Sequence, residues 1–236
     1  TMPDSLVYLR DVDPTIQQDM RYAGSNNFTG GPVLGYDAPE CILVHEAAEA
    51  LKSAQADLKP MGYTLKVYDC YRPAQAVSAF VDWSTQPDDP DAKRAHYPNL
   101  SKKDLFPKYI ATRSGHSRGA TLDVTIAPIG SSPSPAEADP VKPQPCTEGD
   151  PADNSLAMGT GFDCFDVKAN TVTKGLTPEE ERNRQLLLEV MSRHGFQNYP
   201  KEIWHYTFQP EPFPDTYFDF PILPHPRSGA GPPDKT

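Results

Sequence analysis

Residues 114–126 read SGHSRGATLDVTI, and the expected fold and chemistry both depend on this stretch. Its apolar and β-branched residues predict a strand from Ala120 to Ile126, with His116 before it and Asp123 inside it. A carboxylate among apolar side chains is costly to bury unless it is paired or bound to a metal ion. Imidazole and carboxylate groups are both zinc ligands, so the pattern indicates a metal site. An exposed histidine and a turn-forming aspartate would explain the same spacing equally well.

A second stretch, Glu202 to Tyr206, supplies a candidate third ligand, His205. A catalytic zinc ion typically has three protein ligands and one open position for water. Glu202 is the candidate general base, which would take a proton from that water. Side chains three residues apart point to opposite faces of an ideal strand, so this assignment requires a bend after Pro200. An ordinary amphipathic edge strand is the alternative interpretation.

Arg72 follows a predicted strand, Thr64–Asp69, and is braced by Pro73. Attack on a peptide carbonyl builds negative charge on oxygen, which a fixed guanidinium group stabilises well. The alternative is a surface salt bridge between Arg72 and Asp69 or another nearby carboxylate. The three stretches together provide metal ligands, a base and an electrophilic clamp, and this combination favours a zinc peptidase.

The remaining elements are predicted from periodicity and capping signals. Helices are expected from Pro39 to about Pro60, from Pro73 to about Trp83, and from Thr177 to Gly195, the last with a capping box of Thr177 and Glu180. Further strands are expected at 6–12, 19–23 and 203–208. Strands and helices without regular βαβ alternation favour an α+β fold: one domain, 1–236, with a mixed or antiparallel central sheet flanked by helices. An irregular proline-rich excursion is expected at about 128–156 and a proline-rich tail at about 221–236.

The charge balance and the cysteines restrict the partners and the compartment. A net charge of −10 argues against a nucleic-acid partner, and no apolar run reaches the ~20 residues of a membrane helix. Cys146 and Cys164 bracket a polar loop that a disulfide would stabilise, whereas Cys41 and Cys70 lie where two elements can meet. Two disulfides and a periplasmic or secreted protein are therefore expected. Four buried thiols in a cytoplasmic protein are the alternative.

Several short strings together resemble a known family. The chain is similar to the VanX-type D-alanyl-D-alanine dipeptidases, zinc peptidases of family M15 that share their fold with D-Ala-D-Ala carboxypeptidases and the hedgehog signalling domain. The resemblance extends over most of the chain, with matching strings at 21–23, 27–30, 71–73, 114–119, 161–163, 204–206, 211–212 and 217–221. It implies one zinc ion per chain, held by His116, Asp123 and His205. It also implies that Glu202 is the base and that Arg72 stabilises the transition state.

The same resemblance implies how a substrate is held. Tyr22 and Asp163 lie in strings that meet the ammonium end of the dipeptide in the family, and Ser114 corresponds to a residue near its carboxylate. The chain departs from the family pattern at Thr121, where a smaller alanine is usual, and in its longer excursion at 128–156. A Ser-His pair that often follows the Phe-Asp string is also absent from 167–170. These departures concern substrate range more than metal binding.

The expected function is therefore zinc-dependent hydrolysis of the small dipeptide D-alanyl-D-alanine. A D,D-carboxypeptidase or an L,D-peptidase acting on peptidoglycan stem peptides is the alternative within the peptidases. A non-catalytic zinc-binding module is the alternative from another class, although such a module need not retain both Glu202 and Arg72. No metal role is expected for the other histidines, His45, His96, His194 and His225.

Overall fold

The strand that contains Asp123 lies at the centre of a five-stranded sheet in the computed structural model, which describes residues 1–134 and 142–226. The strands of these ranges are β1 (Leu6–Tyr8), β2 (Gln17–Gln18), β3 (Ile42–Val44), β4 (Tyr63–Asp69), β5 (Thr121–Pro128), β6 (Phe196–Tyr199) and β7 (Glu202–Phe208). The large sheet has the order β2-β4-β5-β7-β6, and β1 pairs with β3 in a separate ribbon. β2 runs parallel to β4, and the other neighbours are antiparallel. The predicted α+β class with a mixed sheet is confirmed.

Two long helices pack against this sheet and against each other. The helices are α1 (Leu9–Val12), α2 (His45–Leu58), α3 (Ala74–Ser84), α4 (Pro90–His96) and α5 (Pro178–Arg193). α2 contacts β4, α5 contacts β6 and β7, and the two helices also contact one another. The buried residues of α2, among them Ala47, Leu51, Ala54 and Leu58, recur at helical spacing and form one face. Within the described ranges, no helix combines the length and apolarity that a bilayer crossing would need.

The N-terminus of α5 has the predicted capping box. The Thr177 hydroxyl accepts the N–H of Glu180 at 3.2 Å, and the Glu180 carboxylate accepts the N–H of Thr177 at 2.9 Å. These bonds satisfy two of the N–H groups that a helix start leaves without intrahelical partners. Gly195 ends the element with a φ of 88°, a conformation that glycine adopts without steric cost.

The strand predicted over residues 6–12 is wrong beyond Tyr8. Leu9–Val12 form a helical turn, in which Leu9 is fully buried and donates its N–H to the carbonyl of Cys41 at 2.9 Å. Leu9 is apolar because it is a core residue of this turn. Its side chain makes the sequence resemble a strand beyond Tyr8. Burial of one side chain therefore overrides the periodicity of the segment.

The strand predicted over residues 19–23 is also wrong. Only Gln17–Gln18 pair with β4, and Arg21–Ala23 form a 3-10 turn. The guanidinium group of Arg21 binds the carboxylate of Asp19 at 2.8 Å, and Tyr22 enters the core. This turn is what brings Tyr22 to the site described below.

The helix predicted from Pro39 begins later, at His45. Residues Ile42–Val44 are β3 instead, paired with β1 and wholly buried. Short apolar runs are compatible with either a buried strand or a buried helix, and the available partner strand decides between them here. The other predicted strands and the helix after Pro73 agree with β4, β5, β7 and α3 to within two residues, whereas α4 and β6 were not predicted.

The predicted excursion is anchored at its C-terminal end. Residues 135–141 of the excursion and 227–236 of the predicted tail lie outside the described residues. The carboxylate of Asp153 accepts from Lys66 Nζ at 2.6 Å and from the hydroxyl of Tyr68, so this part of the loop packs on β4. The described residues also contain both expected disulfides, Cys41–Cys70 and Cys146–Cys164.

Thr177→Ala is expected to lower the free energy of unfolding by about 1 kcal/mol, because it removes one half of the capping box. Urea titration followed by circular dichroism, with the disulfides intact, measures this loss. Thr216→Ala, at an exposed position outside the helices, is the matched control and is expected to change stability by less than about 0.5 kcal/mol. Equal stability of the two variants would contradict the capping role.

Candidate active site

Three predicted metal ligands converge where β5 and β7 pair. Asp123 lies directly opposite His205 in the antiparallel register, which puts both side chains on one face of the sheet. His116 comes from the 3-10 turn Gly115–Arg118 that precedes β5. Asp123 Oδ1 lies 3.3 Å from His116 Nε2 and 3.4 Å from His205 Nδ1. One ligand atom from each residue lies within 4.8 Å of the others, so the three could share one cation.

The ring of His116 is held in one orientation. Its Nδ1 lies 2.8 Å from the carbonyl oxygen of Cys70, which can only accept, so Nδ1 carries the proton. The lone pair of Nε2 is therefore directed toward Asp123. Gly119 ends the turn with a φ of 85°, and a Cβ there would meet Leu6 and Val44 at 3.1 Å. A glycine is thus needed for the chain to turn from His116 into β5.

The buried oxygen of Asp123 tests whether these residues fit a metal ion. Oδ1 is shielded from solvent, and no group in the described residues makes a hydrogen bond to it. An unsatisfied charged oxygen is among the costliest groups to bury, and a bound cation would satisfy it. Burial alone would raise the pKa of Asp123, but His116 and His205 hold it below its usual range. Two imidazole nitrogens and a carboxylate oxygen form a donor set that suits a divalent transition metal.

Glu202 reaches the same site because the chain bends between β6 and β7. The strand register shifts at Asn198 and Tyr199, and Tyr199 then pairs with Glu202. The carboxylate Oε1 of Glu202 lies 3.4 Å from His205 Nδ1, although the two residues are three apart on one strand. The bend that the sequence-based assignment required is therefore present. Burial raises the pKa of Glu202, against the opposing effect of His205. Burial lowers the pKa of His205, but Asp123 and Glu202 outweigh it and raise that pKa to about 9.

Arg72 is fixed by a buried carboxylate and not by a surface one. Its Nε and Nη2 donate to Asp69 Oδ2 at 3.1 and 2.8 Å, and Asp69 is fully buried. Tyr36 donates its hydroxyl to the other carboxylate oxygen at 2.8 Å. Nη1 of Arg72, which does not bind Asp69, donates to the hydroxyl oxygen of Ser114 at 3.4 Å. The predicted alternative of a salt bridge to Asp69 is thus correct in partner but wrong in location, since Asp69 is buried and Arg72 lines the cavity.

Tyr22 and Asp163 form a buried pair at another part of the site. The hydroxyl of Tyr22 donates to the carboxylate of Asp163. Burial raises the pKa of Asp163 well above its usual range, and the nearby carboxylates of Asp123 and Glu202 raise it further. Asp163 also has a φ of 53°, in the left-handed region that few residues other than glycine adopt.

All eight predicted catalytic, metal-binding and substrate-binding residues line one cavity of about 210 Å³. They are Tyr22, Arg72, Ser114, His116, Asp123, Asp163, Glu202 and His205. Sites for drug-sized ligands usually measure ~300 to 1,000 Å³, so this cavity suits a smaller molecule. Arginine and carboxylate groups beside a metal-ligand cluster can together bind the oppositely charged ends of a short molecule.

Sequence reasoning missed three residues in or beside this site: Tyr199 lines the cavity, and Asp69 and His96 contact residues that line it. Asp69 was considered only as a surface partner, although a charged residue at the end of a buried strand is itself a signal. Tyr199 donates its hydroxyl to the carbonyl of Lys108 at 2.8 Å and lies edge-on to His205, with ring centroids 5.4 Å apart. His96 contacts the backbone of Asp163 and follows no motif that indicated this.

The protein family and the known proteins that match this chain share one description. A family model for the M15 peptidases, described as D-ala-D-ala dipeptidase, matches residues 2–131 and 147–223. A D-alanyl-D-alanine dipeptidase from Enterococcus faecalis (strain ATCC 700802 / V583) is 35% identical over 94% of the chain and 100% of its own length. Proteins of the same name from Streptomyces coelicolor and Enterococcus faecium are 38% and 32% identical over the same shares.

Single substitutions His116→Ala, Asp123→Ala and His205→Ala are each expected to lower metal content strongly, because each removes one of three shared ligands. The measurement is elemental analysis after dialysis against dilute Zn²⁺, with about one ion per chain expected for the unmodified protein. His45→Ala is the control, since His45 is more than half exposed on α2 and is expected to leave metal content unchanged. Full metal content in all three ligand variants would exclude this cluster as the metal site.

Proposed function

The chain belongs to the D-Ala-D-Ala dipeptidase family of the M15 peptidases, and from this premise we propose that it hydrolyses the free dipeptide D-alanyl-D-alanine in a zinc-dependent reaction. One observation carries the proposal. A single small cavity contains the His116–Asp123–His205 cluster together with Arg72 and the buried Tyr22–Asp163 pair. These groups match the reacting carbonyl and both charged ends of a free dipeptide.

His116, Asp123 and His205 would hold the zinc ion. Such an ion, when bound, acidifies a water molecule and polarises the carbonyl that this water attacks. Glu202 accepts a proton from the attacking water and delivers it to the nitrogen of the leaving D-alanine as the peptide C–N bond breaks. Its raised pKa suits the first step, because a less basic carboxylate would take the proton from water less readily.

Arg72 would stabilise the negative charge that develops on the carbonyl oxygen. The two bonds to Asp69 fix its guanidinium plane, so little reorganisation is needed when that charge appears. Nη1 has a second N–H beside the one that it donates to Ser114, and this N–H and the hydroxyl proton of Ser114 are both donors that could also meet the carboxylate end of the dipeptide. Arg72 and Ser114 would therefore bind the carbonyl oxygen and the carboxylate end of the substrate.

Asp163 and Tyr22 would bind the ammonium end. An ammonium group beside Asp163 favours the ionised carboxylate and so opposes the effect of burial. A longer peptide has an amide in place of this ammonium group and would leave Asp163 buried without a charge partner. This need for a charged amino end supports a dipeptidase over a carboxypeptidase or an L,D-peptidase acting on stem peptides. Retention of both Glu202 and Arg72 supports an enzyme over a zinc-binding module.

We also propose that the protein works in the periplasm or outside the cell. The support is the pair of disulfides, since such bonds persist in oxidising compartments and are rare in the cytoplasm.

The decisive experiment compares three peptides as substrates of the zinc-loaded protein. D-Ala-D-Ala is expected to be cleaved, whereas a tripeptide ending in D-Ala-D-Ala and the dipeptide L-Ala-D-Glu are expected to react far more slowly. Release of free alanine measures each rate, with and without a chelator and with Glu202→Gln as the catalytic control. Cleavage of the tripeptide at the rate of the dipeptide would refute the dipeptidase, and activity that survives both chelator and Glu202→Gln would refute the mechanism.

Arg72→Lys is expected to lower kcat about 10²- to 10³-fold, because a lysine cannot reproduce two fixed bonds to Asp69 and still present a donor to the oxyanion. Steady-state kinetics with D-Ala-D-Ala measure the change. Arg118→Lys is the matched control: Arg118 also pairs with a carboxylate, Glu211, at 2.8 Å, but does not line the cavity. Equal kcat values for the two variants would remove Arg72 from the proposed mechanism.

A further inference from the structure

We propose that the Cys146–Cys164 disulfide and the ring of His96 are positioning groups for Asp163, and that they thereby set the selectivity of the site for a free ammonium group. The inference rests on the proposed function, because it concerns how the substrate's amino end is recognised. It assigns a role to a cross-link and to a histidine that the reaction itself does not use.

Asp163 needs to be held in place. Among residues 1–134 and 142–226, it is the one residue other than glycine with a positive φ, at 53°. Aspartate tolerates this conformation better than most residues, but the extended and right-handed regions remain more favourable for it. A change of the Asp163 backbone to either region would redirect its side chain and break the bond to Tyr22. The surrounding contacts must therefore fix the backbone.

Cys146 holds this backbone on both sides of Asp163. Cys164 follows Asp163 directly, is fully buried and is bonded to Cys146 in a neighbouring 3-10 turn. Two residues before Asp163, Gly161 donates its N–H to the carbonyl of Cys146 at 2.9 Å. The residues that flank Asp163 are thus tied to the same cysteine, one by a covalent bond and one by a hydrogen bond. Rotation of the aspartate backbone would have to break one of them.

His96 holds the same peptide from α4. Its Nδ1 lies 3.1 Å from the carbonyl oxygen of Asp163, and because a carbonyl only accepts, Nδ1 is the donor. The carbonyl of His96 in turn accepts the N–H of Phe165 at 2.7 Å. Burial lowers the pKa of His96 to about 4, so the ring is neutral near pH 7 and adds no charge beside the substrate's ammonium group. The histidine acts here through geometry alone.

The second disulfide supports a different part of the site and offers a matched control. Cys70, bonded to Cys41, presents its carbonyl to His116 Nδ1 at 2.8 Å. Loss of Cys41–Cys70 is expected to disturb the metal ligand His116, whereas loss of Cys146–Cys164 is expected to disturb Asp163. Loss of Cys146–Cys164 is therefore expected to change the selectivity for the ammonium group, and loss of Cys41–Cys70 is not.

The test measures binding on the zinc-loaded Glu202→Gln background, so that nothing is turned over. Isothermal titration compares D-Ala-D-Ala with D-lactoyl-D-alanine, which has a hydroxyl group in place of the ammonium group and nearly the same volume. The parent is expected to prefer the dipeptide at least about 10-fold, the contribution of one charge-assisted hydrogen bond. Cys146→Ser/Cys164→Ser and His96→Phe are each expected to reduce that preference toward one, with little change for the hydroxyl analogue. Cys41→Ser/Cys70→Ser is expected to weaken both ligands and to keep the preference.

A purely structural role would weaken both ligands equally, and an unchanged preference in the His96→Phe and Cys146→Ser/Cys164→Ser variants would overturn the inference. If the cysteine variant does not fold, His96→Phe alone decides, with His96→Gln as the variant that retains a donor and is expected to restore part of the preference. Failure of the wild-type chain to cleave or bind D-Ala-D-Ala would be distinguishable from an unchanged preference in the variants. It would refute the proposed function, and the inference would fall with it.

Discussion

The pairing of Asp123 with His205 across β5 and β7 is the constraint on which the site depends. Two ligands on neighbouring strands lie directly opposite each other in only one register, and a slip by one residue would turn one of them to the opposite face. The apolar residues that alternate with them, Leu122 and Val124 on β5 and Trp204 and Tyr206 on β7, are buried and hold that register. Core packing and metal geometry are therefore set by the same alternation.

Several charged groups are buried around this pair, and each is stabilised in a different way. Asp69 is neutralised by Arg72 and bonded to Tyr36, which leaves the arginine rigid. Asp163 is bonded to Tyr22 and sits near two other carboxylates, so its charged form is unfavourable without a cation. Asp123 has His116 and His205 beside it, but its Oδ1 has no hydrogen-bond partner among the described residues. The site is thus short of positive charge at the places where a metal ion and a substrate ammonium group would bind.

Local chemistry identified part of this arrangement from the sequence alone. His116 and Asp123 could be inferred because a carboxylate in an apolar strand needs a partner. Glu202 and His205 depend on the register shift at Asn198 and Tyr199, which spacing does not reveal because an ideal strand would separate them. Tyr22, which was predicted through family resemblance, lines the cavity, although its segment forms a 3-10 turn and not the predicted strand. Asp69, Tyr199 and His96 act through tertiary contacts, which no local pattern encodes.

The unsatisfied oxygen of Asp123 has a thermodynamic consequence. The three ligands come from two strands and a turn, so an unfolded chain cannot present them together, and an ion that binds the cluster binds only the folded state. Free metal at about a hundred times its dissociation constant would then add ~2.7 kcal/mol to the free energy of unfolding. With such an ion bound, the melting temperature of this protein would be a property of the chain together with its buffer. Two preparations with the same sequence and different trace metal would differ in thermal stability.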